Sequence, residues 1–265
     1  MPAQDLELIE KPMKEFPFDT YDFFGYIASG LLVLIGLDVL FNVPDILGAD
    51  IDTVKFLAIT LASYIVGQML ATPAKAILED LVVRFVLGRP SVRLMAERSM
   101  GDPRRYLFPN YFEPLRSKVQ DKVRERAASE GCPQKSVEKP DGTKELVELS
   151  GEDLFIHIRF QPEVRTDETL MARMDAFLNK YGFNRNVCFA SICLCIAVVL
   201  KSDEAGVDQE KFRQYAWLLG SSSVLLFYRY LKFLRLYSFE MFSAYAAGPP
   251  QDEADPQKGR KSQSP

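Results

Sequence analysis

Charged residues are segregated along this chain, and four windows contain very few of them. The windows are Phe23–Val43, Val54–Ala71, Asn186–Leu200 and Tyr215–Phe233. Each approaches the roughly 20 residues that span a bilayer once flanking aromatic and basic side chains lie at the interface. None shows the polar stripe of an amphipathic soluble helix. The pattern predicts four transmembrane helices, although the chain as a whole is 26% charged.

The four windows divide the chain into membrane and extramembrane segments. We predict an all-α membrane protein whose second and third transmembrane helices are separated by a cytoplasmic α+β insert. The predicted segments are 1–22, cytoplasmic; 23–74, the first transmembrane hairpin; 75–185, the cytoplasmic insert; 186–247, the second transmembrane hairpin with a cytoplasmic helical extension; and 248–265, a disordered tail.

Basic residues indicate which helix ends face the cytoplasm. Lys and Arg are frequent in residues 75–89, 173–185 and 229–235, whereas the connector 44–53 has three Asp and no Lys or Arg. Because cytoplasmic loops are enriched in Lys and Arg, we predict that both termini and the insert are cytoplasmic. The predicted location is the inner (plasma) membrane, as a multi-pass protein.

The first part of the insert contains two predicted helices and a hairpin. Apolar residues at helical spacing extend the second transmembrane helix over Ala74–Leu87. A charged helix is predicted over Glu113–Ser129, with Pro114 in its first turn and Gly131 after its end. Two alternating stretches around a Pro-Asp-Gly-Thr turn predict a small hairpin over Lys135–Leu149.

The second part of the insert leads into the third transmembrane helix. Ser150 and Asp153 have the spacing of a capping box and predict a short helix after Ser150. Thr166 is predicted to cap a further helix that ends at Gly182. Together with the hairpin, these helices make the predicted insert a mixed α+β domain.

Four stretches at or near the apolar windows resemble one group of proteins. They are YDFFGYIASGLLVLIG, YIVGQMLATPAK, YGFNRNVCFA and YRYLKFLRLYSFEMFSAY. In this order they resemble a loose group of uncharacterised bacterial inner-membrane proteins with four predicted transmembrane helices. The resemblance implies a location without implying an activity. The layout is also similar, by architecture alone, to small bacterial membrane proteins that act in defence against phage.

Small residues recur every four positions within three of the windows. Such stripes let helix backbones approach closely, either within one subunit or between copies. The predicted helix-packing residues are Gly25 and Ser29 in the first window, Ser63, Gly67 and Ala71 in the second, and Ala216 and Gly220 in the fourth.

Asp38 is the single charged residue of the first window. A charge inside a span is costly unless it is paired or reaches water, so Asp38 is a candidate functional residue. It lies near the predicted outer end of its helix, where it could reach the interface or pair with Lys55. A role in an ion pathway is the alternative.

Basic residues also accumulate outside the windows. Arg229, Lys232 and Arg235 occur at intervals of three among aromatic residues, which is typical of an anchor in anionic headgroups; gating is the alternative. The basic run Arg84–Arg126 could bind anionic lipid, nucleic acid or a nucleotide. Lipid is favoured because headgroups are the nearest anions, and the net charge of −4 argues against nucleic acid.

The sequence has no recognisable catalytic constellation. His157 is the single histidine and lies between two isoleucines, which favours a structural role over a catalytic triad. The four cysteines have neither disulfide-framework nor zinc-ligand spacing, and nucleotide-binding fingerprints are absent. We therefore expect no cofactor, no metal and no enzymatic activity.

These features predict a non-enzymatic integral membrane protein. The leading interpretation is a homo-oligomeric pore-forming or membrane-perturbing effector that is controlled through its cytoplasmic insert. The alternative is a membrane anchor or scaffold that recruits a soluble cytoplasmic partner. The lipid bilayer is a partner in both interpretations.

Overall fold

The computed structural model of this 265-residue chain describes residues 20–41, 52–97, 102–132, 135–138, 144–147, 149–202 and 208–248. The helices are α1 (Thr20–Phe41), α2 (Thr53–Ala74), a π-helical segment (Lys75–Leu87), α3 (Pro90–Met95), α4 (Arg104–Leu107), α5 (Ser117–Ser129), α6 (Gly151–Arg159), α7 (Pro162–Thr166), α8 (Glu168–Ser202) and α9 (Gln209–Ala247). Two strands, β1 (Lys135–Glu138) and β2 (Lys144–Val147), pair antiparallel.

The chain divides into two compact units. Unit 1 comprises Met1–Leu81 and Asn179–Tyr230, and unit 2 comprises Val82–Leu178 and Leu231–Pro265. The π-helical segment, α8 and α9 contribute residues to both units. The predicted N-terminal segment before residue 20 and the predicted tail after residue 248 lie outside the described residues.

Helices α1 and α2 form the first pair of unit 1. Gly30 lies against Ser63, and Gly67 lies against Tyr26. Because later residues of α1 contact earlier residues of α2, the two helices are antiparallel.

The helix that begins as α2 changes register after Pro73. Proline lacks an N–H, and its ring clashes with the carbonyl four residues earlier in a regular α-helix. The π-helical segment, in which each N–H reaches a carbonyl five residues back, begins two residues later. The predicted extension over Ala74–Leu87 is confirmed, with this wider register.

The second pair of unit 1 consists of residues 179–202 of α8 and 209–230 of α9. The Cys188 thiol donates to the carbonyl of Ser223, and the Cys195 thiol donates to that of Ala216, each at 3.4 Å. Later residues of α8 thus contact earlier residues of α9, so this pair is also antiparallel.

Helix α1 runs parallel to α8 within unit 1. Gly25 lies against Phe183, and Gly36 lies against Leu194, so the contacts advance together along both helices. The four helices of unit 1 therefore alternate in direction along the chain.

Three helices in the described part of the chain are long and apolar enough to cross a membrane. The candidate spans lie in Phe23–Phe41, Thr53–Met95 and Glu168–Ser202. The fourth predicted span, Tyr215–Phe233, lies in α9, which is not among the three because serine, tyrosine and basic residues reduce its apolar content. The protein thus has helices suited to a membrane, and the number of four spans stays a prediction.

Large apolar side chains lie on the outer surface of unit 1. Leu57 and Met69 of α2 are 60% and 72% exposed, and Leu218 and Leu225 of α9 are 64% and 67% exposed. The polar side chains buried in the same unit are Ser29, Ser63, Asn184, Asn186, Ser191 and Ser223. Extended apolar surface of this kind suits hydrocarbon rather than water.

Unit 2 has an apolar core of its own. Helices α3, α5 and α6, the start of α8 and the end of α9 supply it. Its most buried members, each at most 1% exposed, are Leu94, Val123, Ala127, Leu154, Ile158, Leu170, Met241, Phe242 and Tyr245. Since α9 contributes three of these side chains, residues far along the sequence complete the core.

The predicted α+β insert is not supported. The described residues between 75 and 185 are helices and loops apart from the hairpin of β1 and β2, whose strands have four residues each. The hairpin itself is confirmed by the pairing of Lys135 with Val147. A pair of such short strands is too small to form one layer of an α+β domain.

Two boundaries around α5 and α6 follow the sequence signals. The chain after α5 turns at Gly131, whose φ of +73° suits glycine, and the Ser150 hydroxyl accepts the Asp153 N–H at 3.2 Å. The predicted start of α5 is wrong, because the helix begins at Ser117 and Pro114 precedes it.

The predicted boundaries of α8 are also wrong. Thr166 ends α7, and the carboxylate of Asp167 caps α8 by accepting the Leu170 N–H at 2.9 Å. Helix α8 then continues through Gly182. Tertiary packing on both sides of this glycine outweighs its modest intrinsic cost in a helix.

Candidate functional site

Helices α1 and α2 meet at glycines without intervening side chains. A Cβ atom on Gly67 would lie 1.9 Å from the carbonyl oxygen of Tyr26, and one on Gly30 would lie 1.8 Å from that of Ser63. The two backbones therefore touch. Gly30 is missing from the predicted set because four-residue spacing selects its neighbour Ser29.

The other small residues also face helices of unit 1. Ser29 is fully buried, and its hydroxyl donates to the Gly25 carbonyl at 3.0 Å. On α9, a Cβ atom on Gly220 would lie 3.6 Å from the sulfur of Cys195, whose thiol also donates to Ala216. These stripes are used for packing within the subunit.

The last member of the predicted α2 stripe is less enclosed. Ala71 is half-buried, whereas Ser63 and Gly67 are buried. The Ser63 hydroxyl makes no hydrogen bond with any described residue. The close contact with α1 therefore involves the part of the stripe before Ala71.

Asp38 is half-buried near the end of α1. In the described part of the chain, no ion pair or hydrogen bond joins it to Lys55, so the proposed pairing is not seen. Residues 42–51, which follow α1, lie outside the described residues. Interfacial exposure and a role in an ion pathway both stay predictions.

A charged pair in unit 1 was missed by the sequence reasoning. The Arg185 guanidinium of α8 donates to the Glu79 carboxylate of the π-helical segment at 2.8 Å, and their side chains are 11% and 28% exposed. Arg185 also donates to Asn186 at 3.2 Å and lies 5.8 Å from the Tyr181 ring. The pair connects two helices of unit 1, and its only sequence signal is opposite charge near two predicted span ends.

Uncharged polar residues form a stripe along α2, beside its contact with α1. We call Thr60, Tyr64, Gln68 and Thr72, which recur every four residues, the α2 polar stripe. Gln68 and Thr72 are exposed, and the Gln68 amide donates to the Tyr64 hydroxyl at 3.1 Å. None of these residues is charged, and exposed apolar side chains occupy the rest of the outer surface of α2, so the helix still lacks the polar face of an amphipathic soluble helix.

The three basic residues predicted as headgroup anchors have different surroundings. Arg229 and Lys232 are exposed on α9. Arg235 is half-buried in unit 2, where it donates to the Glu113 carbonyl at 2.9 Å and lies 6.0 Å from the Phe239 ring. The predicted anchor is thus best matched by Arg229 and Lys232, while Arg235 also packs within unit 2.

Two arginines of unit 2 bind the end of the π-helical segment. Arg104 donates to the Val86 carbonyl, and Arg93 donates to the Leu87 carbonyl at 2.8 Å. Asp102 accepts from Arg104 at 2.7 Å, and this hydrogen bond lowers the pKa of the Asp102 carboxyl. Cations at a helix C-terminus satisfy its last carbonyls and oppose the negative end of its dipole.

Helix α4, which begins at the hydrogen-bonded Arg104, carries exposed side chains. Tyr106 is 88% exposed, Leu107 is 63% exposed, and Arg105 lies beside them. We call these three residues the α4 patch. An exposed aromatic and aliphatic pair with an adjacent cation is typical of a surface that contacts a partner.

A polar network connects α5, α6 and α9 of unit 2. Glu130 accepts from the Tyr245 hydroxyl at 2.6 Å and from Arg126 at 2.8 Å, and His157 Nε2 lies 3.4 Å from it. Burial raises the pKa of the Glu130 carboxyl, but the hydrogen bonds from Tyr245, Arg126 and His157 outweigh burial and lower it overall. His157 thus occupies a position that fits the structural role expected for it.

A cavity of about 550 Å³ opens in unit 2 between the end of α3 and the start of α5. Its charged lining residues are Glu97, Glu113, Asp121, Arg116 and Arg124. Because acidic and basic groups are mixed, the cavity does not select one sign of ligand charge.

Within the ranges that the structure describes, no group of three or more His, Cys, Asp or Glu side chains could hold a metal ion. The four cysteines are free thiols. No protein-family model, curated protein or solved structure matches this chain.

Proposed function

We propose that this chain is an integral membrane protein of a bacterial inner membrane that assembles as a homo-oligomer and acts as a pore-forming or membrane-perturbing effector. The observation that carries the proposal is the distribution of polarity in unit 1. Large apolar side chains lie outside on its helices, and six polar side chains are buried among the residues that the structure describes. This distribution supports a unit that works in contact with lipid. The proposal involves no enzymatic step.

The four-span arrangement is part of the proposal. The alternating directions of α1, α2, α8 and α9 are those of helices that cross a bilayer in turn. The exposed Leu218, Val224 and Leu225 support α9 as a span despite its lower apolar content. Lys75, Arg185 and Arg229 lie within seven residues of the positions at which the chain passes between unit 1 and unit 2, which supports a cytoplasmic side there.

Reporter fusions test this topology. Fusions near residues 47 and 206 should report the periplasm, and fusions near residues 130 and 260 should report the cytoplasm. A periplasmic signal at 260 would leave three spans, and a cytoplasmic signal at both 206 and 260 would leave two; either result would contradict the arrangement. A cytoplasmic signal near 47 would contradict the first hairpin.

Leakage from liposomes tests the effector function. The purified full-length protein is reconstituted into vesicles loaded with a fluorescent dye or with potassium, and release is recorded against protein-free vesicles. We expect release that rises more than linearly with protein density, because an oligomer is required. Intact vesicles around a folded oligomer would contradict the effector function.

A membrane anchor that recruits a soluble partner is the second candidate, and the α4 patch favours it. Replacing Tyr106 and Leu107 with serine should then remove the cellular function while oligomer size and vesicle leakage stay unchanged. Ile156→Ser is the matched control, since Ile156 is 48% exposed on α6 of the same unit. Equal effects of both changes would argue against the α4 patch as a docking surface.

A further inference from the structure

We infer that the α2 polar stripe contacts the same stripe of a second copy of this chain within the membrane. The inference rests on the proposed membrane location of unit 1 and names the contact through which its oligomer forms. The stripe consists of Thr60, Tyr64, Gln68 and Thr72, and none of the four is charged.

The Gln68 amide has hydrogen-bonding capacity that its own subunit does not use. One N–H reaches the Tyr64 hydroxyl, and no other described residue bonds the side chain. A primary amide offers two donors and an acceptor oxygen. In hydrocarbon no water can satisfy the remaining groups, so an unpartnered amide there is costly.

Two polar residues of the stripe, Thr60 and Gln68, lie away from the ends of α2. Thr60 lies seven residues after the first residue of α2, and Gln68 lies six residues before the last. At about 1.5 Å per residue, each is roughly 9–10 Å from the nearer end of the helix. Neither side chain is long enough to cross that distance to water.

The close contact between α1 and α2 does not involve the Gln68 amide. The neighbouring face of α2, which carries Ser63 and Gly67, already contacts α1. The Tyr64 ring lies 5.5 Å from Phe23 and 6.0 Å from Tyr26, so the tyrosine is positioned by α1 while its hydroxyl reaches Gln68. A second helix can therefore approach the outer side without disturbing the first contact.

The chemistry of the stripe fits an identical partner. An amide is self-complementary, so two copies related by a two-fold axis can each donate to and accept from the other's Gln68. Thr60 and Thr72 have short side chains, which permit the second α2 helix to approach closely. Because none of these four residues is charged, they fit the uncharged stripe of a second copy better than they fit a partner helix that carries charged side chains.

Disulfide crosslinking tests the contact in full-length protein. Gln68→Cys and Met69→Cys are compared in a Cys193→Ala background, because Cys193 is the exposed native thiol. Met69 is 72% exposed, so random collisions would crosslink it readily. We expect oxidation with copper phenanthroline in native membranes to give a covalent dimer at 68 in clear excess over 69. Equal yields, or an excess at 69, would overturn the inference.

Substitution of the amide gives an independent measurement. Gln68→Leu should weaken association in detergent by about 3- to 20-fold in dissociation constant, the range for losing one interhelical hydrogen bond in a membrane protein. Met69→Leu, its neighbour, should leave association unchanged. An unchanged oligomer in Gln68→Leu, or a monomeric wild-type protein, would overturn the inference. Crosslinking at 68 without vesicle leakage would leave the contact standing and reject the effector function instead.

Discussion

A Cβ atom on Gly67 would lie 1.9 Å from the carbonyl oxygen of Tyr26, so the backbones of α1 and α2 touch at this point. The small residues of the second window therefore hold the subunit together. The adjacent Gln68, by contrast, lies on the exposed side of the same helix. Gly67 thus contacts α1 within the subunit, whereas its neighbour Gln68 lies on the surface that we propose contacts a second copy.

Substitution of Gly67 should impair folding rather than assembly. Even Gly67→Ala adds a carbon where no space exists, and such overpacking costs about 1–3 kcal/mol or separates the helices; Gly67→Leu should be worse. We expect a lower yield of monodisperse protein in detergent, measured by size-exclusion chromatography. Gly182→Ala is the matched control, because a Cβ atom there meets nothing within 4 Å. A normal yield of monodisperse Gly67→Ala protein would contradict the direct backbone contact between α1 and α2.

Removal of the Arg185 charge should destabilise unit 1. The Arg185→Gln variant leaves the Glu79 carboxylate without its cation. The Arg185 side chain is 11% exposed and the Glu79 side chain is 28% exposed, so water compensates for the lost charge only in part. Because the pair is partly accessible, we expect a loss of about 1–3 kcal/mol, below the cost of breaking a fully buried pair. The measurement is thermal unfolding in detergent.

The Arg185 experiment has a control within the same chain. Arg213 pairs with Glu210, but their side chains are 68% and 60% exposed, so Arg213→Gln should change stability by less than about 1 kcal/mol. The double variant Glu79→Gln, Arg185→Gln should recover part of the loss. Equal effects at 185 and 213 would mean that the Glu79 contact contributes little.

Glu130 should make the stability of unit 2 sensitive to acid. Its folded pKa lies below the ordinary value of 4.5, so its contribution is complete above about pH 4.5 and is lost as the pH falls through the lower folded value. Glu130→Gln should be less stable than wild type at neutral pH and should lose less stability below pH 4.5. The measurement is the unfolding temperature against pH. If the unfolding temperatures of wild type and Glu130→Gln change in parallel with pH, the Glu130 network is not the source of the acid sensitivity.

The insert should not fold well without the end of α9. A fragment of residues 90–180 lacks Met241, Phe242 and Tyr245, which are buried in the core of unit 2, so we expect it to be only marginally folded. Joining residues 231–248 to it through a flexible linker should produce a cooperative thermal transition by circular dichroism. A sharp transition of the shorter fragment would show that α9 is dispensable.

A single substitution in the same core tests this dependence in the full chain. Phe242→Ala removes a side chain that is 0% exposed, and we expect a loss of about 3–5 kcal/mol. Phe239→Ala, at 36% exposure on the same helix, should cost considerably less. Similar unfolding temperatures for the two variants would place Phe242 outside the cooperative core.

The sequence alone determined the features that depend on local chemistry. Segregated charge predicted long apolar helices, and alternating residues around a turn predicted the hairpin. The spacing of Ser150 and Asp153 predicted the start of α6, where the serine hydroxyl accepts the Asp153 N–H at 3.2 Å. These signals succeed because helix caps, turns and apolar periodicity act over a few residues.

Tertiary structure decided which surfaces meet, because those contacts join residues far apart in the chain. Four-residue spacing could not choose between Ser29 and Gly30, and only the approach of α2 selects Gly30 as the contact glycine. Gly182 carries a helix-ending signal, yet α8 continues through it because side chains before and after this glycine, such as Met174 and Cys188, are buried in tertiary contacts. The partners Glu79 and Arg185 are brought to 2.8 Å by the packing of two helices, which no local pattern encodes.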